Sequence, residues 1–351
     1  MESIIKKIVS ESVNAPSGDN CQPWVFSVKG SKLCIYKRNE GNNDFLDFRE
    51  RGTLLAHGAL IENITIVASH YGYKADISVL PSAEENCTAI INFSEGGQDS
   101  DIDYKVLYEA LPSRCTNRKE YKKELLSSET RNALKKILNP EGQILFVETE
   151  ESKEKLFNIT TQMERIALQN KFIHKFFFDS IVWSEKEERK KMRGLYLKTM
   201  ELPLPVQAFF RILRYWPVTK ILSKIGFSKK VAESNARMYQ SSTPVIFSVT
   251  TANPASFIAI GRVVERFWLL ASHFGVAVHP LAGVLYIYQR MIEGHDVDSL
   301  LTKEESLYIK EGGEYLHKEF IKNNDTIAMI LRIGYSEKPS AISSKRDPEF
   351  I

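Results

Sequence analysis

Gly58-Ala-Leu-Ile-Glu62-Asn-Ile-Thr-Ile-Val-Ala68-Ser69-His70-Tyr-Gly72 recurs as Gly261-Arg-Val-Val-Glu265-Arg-Phe-Trp-Leu-Leu-Ala271-Ser272-His273-Phe-Gly275, with six identical positions at a constant offset of 203. In the first copy Leu54, Leu55, Ala59, Leu60, Ile64, Val67 and Ala68 cover more than one helical face, which predicts a central, buried helix from Thr53 to Tyr71 that Gly72 stops. An apolar, β-rich segment follows each copy, Thr88 to Phe93 and Thr326 to Ile333. The chain therefore reads as two related α/β halves fused around two long helices, a pseudo-dimer about a two-fold axis. Two unrelated buried helices that share an apolar bias are the alternative.

Composition bounds the rest. With 351 residues, 43% hydrophobic and 26% charged, the sequence is long enough for one large or two fused units. A net charge of +3 does not demand nucleic acid, and there is no zinc-finger spacing or RNP-like motif. Met1 to Lys7 lacks the order of a signal peptide, and no apolar run reaches the roughly 18 residues of a membrane span, so a soluble cytoplasmic protein is expected. Cys21, Cys34, Cys87 and Cys115 show no CxxC and no metal-like spacing, which reads as free thiols in a reducing compartment.

Outward from the repeat, a helix over 2–13 should end where Pro16 disfavours it, followed by a hairpin of Val25 to Val28 and Leu33 to Tyr36 around Gly30. The polar loop Ser94 to Asp101 separates the halves, giving 1–100 and 101–351. In the second half, helices are expected at Tyr104 to Leu111, after a Ser128 cap, from Ser152 to Gln169 and after a Thr302 cap. Strands are expected at Gln143 to Val147, Val245 to Thr250 (bounded by Pro244 and Pro254) and within Val276 to Gly283, which ends in a small-residue turn. Residues 185–237 carry thirteen Lys/Arg against five Glu among many large apolar residues and have no counterpart in the first half. This insertion, with Pro203, Pro205 and Pro217 as breaks, reads as peripheral packing, a lid over a ligand site, or a membrane-surface helix.

Walker A, GxGxxG, GxSxG and HExxH patterns are absent. What stands out is Ala15-Pro16-Ser17-Gly18-Asp19-Asn20-Cys21-Gln22-Pro23-Trp24, a polar turn offering a hydroxyl, an amide and backbone N–H groups, together with Arg114, Thr116 and Arg118, two guanidinium forks around a hydroxyl. That is a phosphate-binding inventory. Taken singly, Arg114 and Arg118 would pass for solvated surface charges, Pro23 and Trp24 for core, His70 and His273 for helix-end partners of the dipole, and the cysteines for tolerated small side chains.

In combination these residues resemble the FMN-dependent nitroreductase superfamily: Ala-Pro-Ser-x-x-Asn-x-Gln-Pro-Trp at 15–24, Arg-x-Thr-x-Arg at 114–118, Pro-x-x-Gly at 280–283 and Gly-Tyr…Lys-Arg-x-Pro at 334–348. The resemblance spans nearly the whole chain and implies an α+β nitroreductase-like fold. It departs from an ordinary member in order, since there the arginine motif precedes the turn and the FMN lies between two subunits. A fused chain that keeps each motif once is similar to the Acg-like branch and would build one FMN site between its halves, under a lid.

The resemblance further implies that Arg114, Thr116, Arg118 and Arg346 hold the FMN phosphate and ribityl chain, and that the turn carrying Pro16, Ser17, Asn20 and Gln22 closes it from the first half. Pro280, Ala282 and Gly283 would face flavin N5 and O4, with Ala282 at a position often acidic in the family, and Arg237 would lie near N1 and O2. The flavin carries the chemistry, so no catalytic side chain and no metal is assigned. The implied function is NAD(P)H-dependent reduction of a nitro or quinone-type small-molecule acceptor by ping-pong hydride transfer, with NADH or NADPH as co-substrate. A flavin-sequestering protein whose insertion covers the ring is the second reading, and a monomeric pseudo-dimer or a homodimer fits either.

Overall fold

The computed structural model describes all residues except 39–44, 83, 98–101, 138, 298 and 322–324, so part of the loop expected to divide the halves lies outside the described residues. The first half runs α1 (Glu2–Ser12), β1 (Trp24–Lys29), β2 (Lys32–Lys37), α2 (Arg51–His70), β3 (Tyr73–Val79) and β4 (Cys87–Glu95). Next come α3 (Tyr104–Ala110), α4 (Ser128–Lys135) and β5 (Ile144–Phe146). A long excursion then holds α5 (Glu150–Thr160), α6 (Gln162–Gln169), α7 (Lys171–Ser180), β6 (Ile181–Val182), α8 (Glu185–Lys191), β7 (Leu195–Tyr196), α9 (Leu204–Leu213), α10 (Trp216–Lys224) and α11 (Phe227–Tyr239). The chain returns through β8 (Thr243–Val249), α12 (Pro254–His273), β9 (Val276–Pro280), α13 (Gly283–Ile292), α14 (Lys303–Phe320) and β10 (Thr326–Tyr335).

Among the described residues the strands form two four-stranded antiparallel sheets, ordered β1-β2-β4-β3 and β5-β8-β10-β9, and a small parallel β6-β7 pair. Each large sheet is built the same way. Its second strand leads into a long helix, the helix into the edge strand, and a final strand inserts between that edge and the second strand. The fold is thus α+β with two topologically matched halves. They share one apolar core, which gathers Ile8, Phe26 and Ile64 with Phe247, Phe267 and Ile333. The last residues cross over as well: Phe26 N–H donates to Glu349 O, and Ile351 N–H to Phe26 O, extending the free edge of β1.

Why the halves join so closely is visible at two glycines. A Cβ on Gly58 would stand 2.0 Å from the Ile258 carbonyl oxygen, and one on Gly261 would stand 2.2 Å from that of Leu55. Ile258 is the counterpart of Leu55 at the same offset of 203, so the contact is reciprocal, as a two-fold requires. Only a residue without Cβ permits this approach. Most of both helices is consequently buried, including Glu62 and Glu265.

Several elements differ from expectation. β3 was not anticipated, because only Ala75 of its residues is buried and the strand carries no core alternation. α13 was not anticipated either. The cap of α4 is Ser127, whose side chain accepts from Thr130 N–H, rather than Ser128. The helix expected over 152–169 starts from a Thr149 cap and is interrupted at Thr161. Measured against the two-residue turn joining β1 and β2, everything between β5 and β8 is additional, so the insertion starts near residue 147 and not at 185. Its prolines begin helices instead of breaking them: Pro203 caps α9, while Pro205 and Pro217 sit in first turns, where a missing N–H costs nothing. Pro244 lies within β8.

Replacing either glycine by alanine forces the helices apart. Gly58→Ala and Gly261→Ala should each destabilise the chain by about 2 kcal/mol or more and by similar amounts, as read from denaturant unfolding. A neutral substitution at either position would contradict the reciprocal contact.

Candidate functional site

A cavity of about 1160 Å³ opens between the halves, at or above the upper end of the roughly 300–1,000 Å³ of ordinary ligand sites. Pro16, Ser17, Asn20, Arg114, Thr116, Arg118, Pro280, Ala282, Gly283 and Arg346 all line it, though they come from four distant stretches. Hydrogen bonds stitch these stretches together. Arg114 donates through Nη2 to Asn14 O at 2.6 Å, and Asn20 Nδ2 donates to Ser344 O at 2.9 Å. Thr116 bridges to Val278, and Asn117 N–H donates to Val278 O at 2.9 Å, so the arginine run lies along β9 just before its Pro280 turn.

The turn after α1 owes its shape to a buried helix residue. His57 of α2 is fully buried, and its Nε2 donates to Pro23 O at 2.8 Å while its Nδ1 accepts from the Thr88 hydroxyl at 2.7 Å. Burial pushes its pKa down to about 4, which keeps the ring neutral in this role. Trp24 packs edge-on against the same ring and belongs to the core. Asp19, Asn20 and Gln22 take left-handed φ values of 46°, 55° and 52°, a run of strained non-glycine residues that the surrounding contacts must hold in place.

Gln22 does not line the cavity. It is buried and acts as a clamp: its Nε2 donates to Met192 O at 2.6 Å, and its Oε1 accepts Arg346 N–H at 2.8 Å. The turn, the final residues and the excursion thus meet at one side chain. Arg118 likewise donates to Thr199 O at 3.2 Å, and Glu188 of α8 accepts Ser344 N–H at 2.6 Å. The Met192–Leu195 stretch and Thr199 form part of the cavity wall.

One end of the cavity is cationic. Arg114 is buried, stacks over Trp268 at 4.8 Å, and places Nε 3.3 Å from Glu265 Oε1 without hydrogen-bond geometry. Among the described residues the Glu265 carboxyl has no hydrogen-bond partner in good geometry, and burial pushes its pKa up to about 7. Beside it Lys345, which the sequence reading passed over for its neighbour Arg346, donates to Ala15 O at 2.9 Å and Asn20 Oδ1 at 2.8 Å. Burial first, and then Arg114, push the Lys345 pKa down to about 7. Arg118 is also lowered by burial, offset by Asp19. Desolvated cations gathered this way would be relieved by a dianion.

The pseudo-symmetric position is occupied differently. Glu62, the counterpart of Glu265, accepts from Arg262 Nε at 2.9 Å and Arg266 Nε at 2.8 Å, so α12 itself satisfies that carboxylate.

Ala282, which also lines the cavity, precedes α13 without a side-chain cap, leaving the first-turn N–H groups of that helix without a side-chain partner from the cap. Leu46, Asp47, Gly52 and Thr53, at the start of α2, also line the cavity. Asp47 accepts from Gly52 N–H and the Thr53 hydroxyl, each at 2.6 Å, which fixes that helix start. Cys21 and Cys115 line the cavity too; burial raises both thiols, Cys21 to about 11, so neither is a thiolate at neutral pH.

Arg237 does not reach the cavity. The phase of α11 turns Ala236 and Tyr239 inward and leaves Arg237 exposed. The buried cation behind the Pro280 turn is Arg332, held between Tyr121 and Tyr239 at 4.1 and 4.2 Å and donating to His279 Nδ1 at 2.9 Å. A lone arginine inside β10 was the available signal, since a central strand does not bury a cation without partners.

No protein-family model matches the chain. It is 24% identical over 296 residues to the uncharacterized protein MT1398 of Mycobacterium tuberculosis (strain CDC 1551 / Oshkosh), which covers 83% of this chain and 40% of that protein. The chain thus spans about two-fifths of the length of the curated relative it matches. Solved structures with some likeness include a nitroreductase with bound FMN from Desulfitobacterium hafniense DCB-2, at 10% identity and a TM-score of 0.36 over 70% of this chain and 94% of that one. Another is the FMN-dependent nitroreductase NfnB from Mycobacterium smegmatis in complex with NADPH, at 11% identity and a TM-score of 0.37 over 69% and 94%.

The lowered Lys345 pKa sets a pH dependence. Its ammonium is charged at about pH 6 and largely neutral by about pH 8.5, so affinity for a phosphate-bearing ligand should weaken as pH rises through about 7. Titration calorimetry with FMN should find that alkaline loss in the native chain and a clearly smaller one in Lys345→Met, where only the neighbouring Glu265 carboxyl still titrates near pH 7. An affinity that stays level across this range would place the ammonium outside the anion site.

Proposed function

We propose that the chain is an FMN-binding oxidoreductase of the fused, Acg-like kind, using NADH or NADPH to reduce a nitro or quinone-type acceptor. One observation carries the reading: four motifs that resemble those of FMN-dependent nitroreductases, and that lie as far apart as residues 16 and 346, line one cavity. Bound there, FMN would supply the hydride acceptance and donation. The chain's part is to hold and orient. Arg114, Arg118, Lys345 and Arg346 would carry the phosphate, with Ser17, Asn20 and Thr116 completing the polar cradle. The uncapped start of α13 at Ala282–Gly283 would present N–H groups to the ring, and no acidic side chain stands at Ala282.

A second reading, flavin sequestration, is favoured by the clamp at Gln22. Its bonds to Met192 and Arg346 tie the excursion down over the cavity, which restricts entry of an acceptor. The excursion works as a lid in either case, and the two readings differ in whether it opens on the timescale of turnover.

Anaerobic addition of NADPH or NADH to the flavin-loaded chain separates them. The oxidoreductase reading expects bleaching of the flavin absorbance within seconds to minutes and recovery on adding a benzoquinone. Flavin that stays oxidised with both nucleotides would reject it in favour of sequestration.

A further inference from the structure

We infer that the α9–α10 face is a docking surface for an anionic membrane. This face takes no part in the cavity and does not rest on the flavin reading. Of the sixteen large apolar side chains exposed among the described residues, seven fall between Leu204 and Ile225. Leu204 is 80% exposed, Ile221 65% and Ile225 73%, values expected of solvated lysines and not of leucine and isoleucine.

The exposure is ordered along the helix. In α9, Leu204, Ala208 and Ile212 follow each other at i, i+4 and i+8 with Phe209 beside them, so the helix turns its apolar stripe outward. It is held to the protein by the opposite edge. Leu213 is buried, and its carbonyl accepts from His174 Nε2 at 2.8 Å and from the Thr219 hydroxyl at 2.5 Å. A helix anchored this way presents its outward face without unfolding.

Charge identifies the occupant. From Leu202 to Ala232 the sequence has six Lys/Arg and no Asp or Glu. Lys220 and Lys224 are exposed on the same side of α10 as Ile221. An amphipathic element whose own charges are all cationic is built to lie in the headgroup region of anionic lipid. A second copy meeting this face across a two-fold would set Lys220 and Lys224 against like charges, which anionic headgroups would instead neutralise. Among the described residues no helix is long and apolar enough to cross a membrane, so the contact is peripheral.

Cosedimentation of the full chain with vesicles tests the assignment. Binding is expected to phosphatidylcholine vesicles containing phosphatidylglycerol, little to phosphatidylcholine alone, and less as salt is raised. Lys220→Gln with Lys224→Gln should weaken binding about twentyfold or more, near fivefold per lysine. Ile212→Ser with Ile221→Ser should weaken it at least tenfold while lowering the thermal unfolding midpoint only slightly, because about half or more of each side chain is already in solvent. A native chain that stays in the supernatant with anionic vesicles, or variants that bind as it does, would overturn the proposal. So would a dimer in analytical ultracentrifugation that Ile212→Ser dissolves, which would make the face a self-association surface.

Discussion

Two backbones pass each other at Gly58 and Gly261 with no room for a methyl group, and the rest of the molecule follows from that crossing. Because the approach is reciprocal, the sheets it carries are placed symmetrically about it and their apolar faces merge into one core. The ends of the chain then have somewhere to go. The final residues reach β1, the arginine run reaches β9, and the space left between them is the cavity. A small side chain at either glycine would act on the site, since the spacing of the two helices sets the cavity and Gly261 itself lines it one turn before Glu265.

Symmetry explains the fold, and its breakdown explains the site. Glu62 and Glu265 begin as equivalent residues on equivalent helices, but their surroundings differ. Arg262 and Arg266 complete an ion pair at Glu62, whereas Glu265 faces Arg114 and Lys345 at the edge of open volume. One position is satisfied by the protein alone. The other leaves Glu265 without a completing hydrogen bond and sets Arg114 and Lys345 along the cavity wall, an arrangement that favours an anionic ligand.

Much of this was legible in the sequence, and the failures have physical causes. The repeat could be seen because buried helices constrain side chains on nearly every face, and the Thr302 cap because the capping box with Glu305 is local chemistry. β3 was hidden because a strand with one buried residue leaves no period-two signal. Arg237 was misplaced because its distance from β8 along the chain says nothing about the phase of α11. His57, Lys345 and Gln22 matter through partners 31 to 330 residues away, and a single sequence does not display such pairings.

The central claim is that one ligand site lies between two halves of a single chain, with its phosphate end built on Arg114 and Arg118. Flavin content per chain tests this most directly: FMN is added in excess, unbound flavin is removed, and what remains is released and quantified. The account predicts about one FMN per chain, falling to near zero in the Arg114→Ala, Arg118→Ala double variant that keeps its fold by circular dichroism. Two FMN per chain, none, or full occupancy in the double variant would contradict it.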